Sequence, residues 1–313
     1  MTERRSSDAC SGLSGPADLP DAWQRGFRRG AGRHAVGGAW RNRDAIETRR
    51  FPDGETYLRL RTDPAGRDVA LVCTLDRPDP KLAPLLFAAD AARDLGARRV
   101  GLVAPYLSYL RQDRRFQPGE AVTSKSFGRV LSASFDWLAT VDPHLHRYGS
   151  LGEVYAIPTR TVAAAPRLSD WIARNLPNPV VIGPDAESRQ WVSQVAALAG
   201  APWQVLEKQR FGDRDVRVSL PDPDRLAGRM PVLVDDIISS ARTMIAAAQH
   251  LSAMGCQTPV CLAVHAVFAE DSHALLGAVA GRIVTTNTVV HVTNGIDVAL
   301  DIATAVADLL VAT

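Results

Sequence analysis

Short runs of β-branched and aliphatic residues recur from about residue 56, with longer stretches of helical spacing between them. TYLRL alternates apolar and polar positions and predicts a strand, with the PDG ahead of it as a tight turn. DVALVCTL predicts a buried strand, DPKLAPLLFAADAARDLGA an amphipathic helix stopped by glycine, and RRVGLVAPYL a further strand. LATV is a short strand. From about Tyr155 the pattern restarts: helix LSDWIARNL, strand PVVIGP, helix DAESRQWVSQVAALAG. Val232 to Val234 form a strand, MIAAAQHLSAMG a helix ending at Gly255, PVCLAVHAVF a strand and SHALLGAV a helix. RIVTTNTVVHV reads as a strand pair and DVALDIATAVADLLVAT as a terminal helix. Strand–helix–strand order means parallel sheets, so the class is α/β.

Composition narrows this picture. At 313 residues the chain has room for two domains of ordinary size. It is 46% hydrophobic and 22% charged, as soluble globular proteins are. A net charge of +2 gives no case for nucleic acid. Residues 1–40, rich in Gly, Ser, Arg and Pro and without period, read as a mobile basic tail. Cys10, Cys73, Cys256 and Cys261 show no CxxC spacing, and Cys73 sits in an apolar strand as a buried thiol. No apolar run spans a membrane and no apolar signal core opens the chain, so a cytoplasmic location is expected.

The densest chemistry lies in PVLVDDIISSARTM, from Pro231 to Met244. A strand ends in Asp235 and Asp236; Ser239, Ser240, Ala241, Arg242 and Thr243 follow, and a helix starts. Exposed N–H groups and the positive dipole end at a helix start favour phosphate. Carboxylates beside it suit sugar hydroxyls, or magnesium through water. These residues equally describe a plain strand–turn–helix crossover with Asp and Ser as capping residues.

Five other segments carry unusual residues. FPDGE sets Phe51 beside Asp53 and Glu55, which an ordinary hairpin turn also explains. SYLRQDRRFQPGEAVTSKSFGRVL clusters Arg111, Arg114, Arg115 and Lys125 after a strand, as a charged surface loop does; the carboxyl edge of a parallel sheet is also where ligands bind. His144 lies just beyond LATV, and Asp185 just beyond PVVIG, where the N–H groups of Ala186 to Arg189 open a helix suited to pyrophosphate. VLEKQRFGDRDVRVSLPD reads as a mobile hairpin carrying Lys208 and Arg210.

VLVDDIISSART resembles the ribose-phosphate loop of type I phosphoribosyltransferases and of ribose-phosphate pyrophosphokinases (PRPP synthetases). FPDGE, the segment PYLSYLRQDRRFQPGE (family form PYxxYxRQDRxFxPxE), DPH (family DxH), GPDAES with KQR, and VDDIISSART occur in the second family's order, from about Phe51 to the end of the chain. Gly119 and the GPDxESxxW form are similar to its archaeal branch. The resemblance implies two similar phosphoribosyltransferase-type domains, each a mainly parallel sheet flanked by helices. Their expected bounds are 41–156, completed by helix 297–313, and 157–296.

It also implies site roles. Phe51, Asp53 and Glu55 seat the adenine of ATP in a neighbouring subunit's site, with Arg111 and Gln112 facing the nucleotide. His144 and Asp185 ligate Mg2+. Lys208 and Arg210 stand on the flexible catalytic loop. Asp235, Asp236 and residues 239–243 hold ribose 5-phosphate. The implied partners are ATP, ribose 5-phosphate and further copies of the chain, at least a dimer, with no nucleic acid and no membrane. Two departures stand out: Ala241 replaces the loop's usual Gly, so its Cβ is expected to oppose a positive φ, and the family's opening strand is not recognisable in residues 1–40. Two rival readings follow, a type I phosphoribosyltransferase and a catalytically silent partner of an active enzyme.

Overall fold

A computed structural model describes residues 46–185, 188–206, 208–210, 216–218 and 223–312. The expected tail at residues 1–40 lies outside them. The chain divides into two units, one reaching Val162 and including Ala299 onward, the other spanning Ala163–Val298. The division therefore falls six residues beyond the expected 156. The cause is a strand absent from the pattern reading, β6 (Thr159–Val162), which pairs with β5 (Trp137–Val141) of the first unit.

In the first unit, β3 (Asp68–Val72), β4 (Arg99–Ala104), β5 and β6 form a parallel sheet in that order. Helix α1 (Asp79–Asp94) joins β3 to β4, with Ala88, Ala89 and Ala92 buried, small residues that let the helix lie close on the sheet. Helix α2 (Thr123–Ser134) joins β4 to β5 and corrects the reading of this whole stretch as loop. Its buried positions, Ser124, Phe127, Gly128 and Leu131, keep helical spacing, but only two carry large apolar side chains. Gly101 in β4 makes room for the Trp137 indole, since a Cβ there would lie 1.8 Å from it. At the amino ends of β3 and β4, Arg99 grips Asp68 through two bonds of 2.9 Å and also donates to the Leu310 carbonyl. That last bond fastens α8 (Ala299–Ala312), which packs on β5 and β6. A separate antiparallel hairpin, β1 (Ile46–Arg50) with β2 (Thr56–Leu60), carries the PDG turn.

The second unit holds a six-stranded parallel sheet ordered β14-β13-β12-β11-β7-β8. Its strands are β7 (Pro179–Gly183), β8 (Trp203–Val205), β11 (Met230–Ile238), β12 (Val260–Ala266), β13 (Arg282–Thr286) and β14 (Asn294–Ile296). The helices are α3 (Ala165–Asn175), α4 (Arg189–Ala199), short α5 (Pro223–Leu226), α6 (Arg242–Ala253) and α7 (Ser272–Gly277). Central strands are apolar on both faces, as a sheet covered twice requires. Val180, Ile182, Leu233, Cys261 and Ala263 pack into one cluster with Met244, Leu251 and Leu276 of α6 and α7. The alternate residues Val181, Val232, Val234 and Leu262 are also fully buried. In RIVTTNTVVHV the second strand begins later than expected, at Asn294. The Asn294 amide donates to Thr285 Oγ1 and to the carbonyls of Thr286 and Val289, which holds the intervening residues as a turn. Among the described residues no helix is long and apolar enough to cross a membrane.

From β7 the chain moves through α4 to β8 on one side. It then enters β11 on the other side of β7 and continues outward through β12 to β14. The order reverses between β7 and β11, and in open α/β sheets the crevice beyond the carboxyl ends at such a point receives ligands.

Candidate active site

Both sides of that crevice carry residues singled out from the sequence. β7 ends at Gly183, and the chain turns at once through Asp185. The Asp185 carboxylate accepts the Ser188 N–H at 3.3 Å, and the Ser188 hydroxyl donates back to the Asp185 carbonyl at 2.6 Å. This turn folds directly over the strand end. A Cβ at Gly183 would lie 2.3 Å from Ser188 Oγ and 3.1 Å from Val205, so the glycine is needed for close approach. Residues 186 and 187 lie outside the described set.

On the other side β11 runs on through Asp235, Asp236 and Ile238, pairing Asp235 with Ala263 and Ile237 with His265. The strand thus extends four residues past Val234, and the carboxylates sit within it. Burial pushes the Asp235 carboxyl well above the usual range. The negative charges of Asp236 and Asp185 push the same way, against a 3.0 Å bond donated by the Asp236 N–H. Asp185 therefore acts electrostatically on the far side of the crevice from its own strand, which brings the two acidic strand ends into one field.

Beyond Ile238, Ser239 is half-buried and Ser240 exposed; Ala241 closes the turn, and α6 begins at Arg242, which is exposed, with Thr243 half-buried. Ala241 has φ 57° and ψ 4°, the left-handed conformation, and is 7% exposed. The expectation that its Cβ would bar a positive φ is corrected: the methyl packs into the core cluster beside Met244 and the backbone keeps the turn. The N-cap residue of α6 is Ala241, which has no side-chain acceptor to offer the leading N–H groups.

The first unit carries the other candidates. In the hairpin, Phe51 N–H bonds the Glu55 carbonyl at 2.8 Å and Asp53 accepts the Glu55 N–H at 3.2 Å, which fixes the FPDGE turn around Gly54 at φ 94°. The Arg49 guanidinium lies 4.6 Å from the Phe51 ring and 4.3 Å from the Tyr57 ring. Phe51, Asp53 and Glu55 are exposed. After β4, Arg111 is exposed and Gln112 half-buried. Asp113, not singled out from the sequence, is the anchor here: 7% exposed, it receives Arg147 at 2.7 and 2.9 Å, and its carbonyl accepts the Tyr148 hydroxyl. Tyr148 also pairs with Ser124 of α2 at 2.9 Å. These contacts tie the Arg111–Gln112 loop to the loop after β5 that carries His144. There Asp142 takes φ 30°, and the His144 ring meets His146 edge-on at 4.6 Å. Strained backbone at Asp142, Tyr109 (φ 61°) and Ala241 follows three strand ends, where such conformations collect near functional sites.

Lys208 and Arg210 lie in β9 (Lys208–Arg210), paired antiparallel with β10 (Val216–Val218); the tip between them, 211–215, is outside the described residues. The candidates thus divide between the units: Asp185, Lys208, Arg210, Asp235, Asp236 and 239–243 belong to the second, and Phe51, Asp53, Glu55, Arg111, Gln112 and His144 to the first. Among the described residues no three His, Cys, Asp or Glu side chains form a cation cage. The charges of Asp236 and Asp185 both disfavour an ionised Asp235, a repulsion that a divalent cation would relieve.

Comparison with known proteins bears on both units. A family model for the N-terminal domain of ribose phosphate pyrophosphokinase matches residues 41–134, and the phosphoribosyl transferase domain model matches 150–300. A ribose-phosphate pyrophosphokinase of Methanopyrus kandleri is 36% identical over 267 residues, 84% of this chain and 90% of its own. That of Methanothermobacter thermautotrophicus is 34% identical over 265 residues, with 84% and 91% covered. Phosphoribosylpyrophosphate synthetase from Mycobacterium smegmatis has the same fold, with a TM-score of 0.76 at 21% identity over 93% of this chain and 96% of that one.

Proposed function

The chain belongs to the ribose-phosphate pyrophosphokinase family, and on that premise we propose that it transfers the diphosphoryl group of Mg-ATP to ribose 5-phosphate. The C1 hydroxyl oxygen bonds the β-phosphorus. The bond from that phosphorus to the α–β bridging oxygen breaks, AMP leaves, and 5-phosphoribosyl 1-diphosphate forms with loss of the hydroxyl proton. The observation that carries the reading is the crevice between β7 and β11, where the Asp185 turn closes one strand end and Asp235 and Asp236 stand in the other, followed by the turn into α6.

Residues 239–243 hold the 5-phosphate with backbone N–H groups, and Asp235 and Asp236 accept hydrogen bonds from the ribose hydroxyls. Phe51, Asp53, Glu55, Arg111 and Gln112 seat the nucleotide, the planar guanidinium and amide suiting purine and phosphate. The FPDGE hairpin serves a neighbouring copy, which makes the enzyme a homo-oligomer working in the cytoplasm. His144 in the first unit and Asp185 in the second are each assigned as a ligand of Mg2+, which when bound would neutralise charge on the triphosphate. The mutual repulsion of the crevice carboxylates fits such a cation. Lys208 and Arg210 balance the negative charge that spreads over the group in transit. Positioning and electrostatics suffice, and no covalent intermediate is needed.

The test is AMP release by the purified protein with Mg2+, ATP and ribose 5-phosphate. AMP formed only when the sugar phosphate is present supports the reading. AMP absent, or formed equally without the sugar, refutes it.

A further inference from the structure

The first peptide of the 239–243 turn is held from behind. The Ser239 carbonyl accepts two hydrogen bonds from the segment after β12: the Ser272 hydroxyl donates at 2.8 Å and the Ala269 N–H at 3.2 Å. Both lone pairs of that carbonyl are thereby engaged. Ser272 is 3% exposed at the start of α7. No side chain caps that helix, so the hydroxyl serves the neighbouring loop and not its own first turn.

The direction of this bond has a consequence for an anion. In a trans peptide the C=O and the next N–H point to opposite sides. Turning the Ser239 carbonyl toward the β12–α7 segment turns the Ser240 N–H away from it, and Ser240 is exposed. Released, the carbonyl is free to rotate to the other face, where its partial negative charge repels phosphate. Ala241, left-handed and packed in the core, fixes the next peptide, so residues 239 to 241 are held from both ends.

We infer that Ser272 is a positioning residue for the 5-phosphate of the sugar substrate, acting through the Ser239–Ser240 peptide. This rests on the proposed function. Its signal was absent from the sequence, where SHALLGAV is only a helix start after a strand.

The test compares the full-length protein with its Ser272→Ala variant in ribose 5-phosphate binding by calorimetry and in steady-state kinetics. Losing the shorter of the two bonds is expected to raise the dissociation constant and the KM for ribose 5-phosphate about fivefold to tenfold. The KM for ATP and kcat are expected to stay within about twofold, because the Ser272 hydroxyl bonds only the first peptide of the turn assigned to the sugar phosphate. Should Ser272→Ala fail to fold, Ser272→Cys keeps nearly the same volume with a weak donor and carries the same expectation. Unchanged ribose 5-phosphate affinity in the folded variant overturns the inference alone. Equal loss for both substrates, with a lowered melting midpoint, shows a merely structural role and also overturns it. A parent protein that binds no ribose 5-phosphate overturns the functional reading and this inference together.

Discussion

Ala241→Gly isolates the largest departure of this chain from the pattern it resembles. The left-handed backbone at φ 57° costs an alanine about 1 kcal/mol relative to glycine. Against that, glycine removes a methyl that is 7% exposed, worth about 0.8 kcal/mol of burial. It also frees the unfolded chain by roughly 0.4–1 kcal/mol. The terms nearly cancel, so the melting midpoint is expected to move by no more than about 3 °C. Turnover follows the same logic. Because alanine already holds the turn, glycine has no collapsed loop to restore, and kcat/KM for ribose 5-phosphate is expected to change by less than about tenfold. The assay is AMP release at varied ribose 5-phosphate, with a thermal melt of each protein. A rise of more than about a hundredfold from a nearly inactive parent would contradict a turn already held by alanine. It would show that the methyl blocks the phosphate and would favour the silent-partner reading.

Asp235→Asn removes a charge that burial and two neighbouring carboxylates disfavour. The folded-state pKa lies above the unfolded one, so the parent loses stability as pH rises from about 4 through the raised value. The variant is expected to melt higher than the parent at pH 8, no differently at pH 4, and to lose at least about a hundredfold in turnover; a lower midpoint at pH 8 speaks against the electrostatic account. Gly183→Ala drives a Cβ to 2.3 Å from Ser188 Oγ, and urea unfolding is expected to show a loss of about 1–3 kcal/mol together with reduced activity. Arg147→Ala strands the Asp113 carboxylate, whose side chain is 1% exposed, and is expected to cost about 2 kcal/mol and raise the KM for ATP. An unchanged KM for ATP would show that the Asp113–Arg147 pair does not hold the Arg111–Gln112 loop in its working form.

The strands of the sheet centres were legible because both faces are covered, so RVGLVA, PVVIG and VCLAVHA are apolar almost throughout, and the edge strand DVALV was legible from its own apolar run. Two other edge strands were not: β6, TRTV, and β8, WQV, are short and only partly buried, so no apolar run marks them. Helix α2 escaped because its core-facing stripe includes a serine and a glycine. Gly128 is there because a Cβ would meet the Val154 carbonyl at 2.4 Å, a constraint set by a residue 26 positions away. Strand order was also hidden, since local pattern fixes a crossover but not the side on which β11 joins β7. Asp185, Asp235 and Asp236 stand in motifs whose order can be matched locally; Asp113, Arg147 and Ser272 make their contacts with partners distant in sequence, and no local signal marks them. The two orienting bonds on the Ser239 carbonyl depend wholly on tertiary contact.

The central claim is transfer of an intact diphosphoryl group to the sugar. ATP labelled at its β-phosphorus, incubated with the protein, Mg2+ and ribose 5-phosphate, reads this directly. Diphosphoryl transfer moves the label to the sugar product, with unlabelled AMP accumulating in equal amount. Label retained in ADP, with only the terminal phosphate transferred, would contradict it.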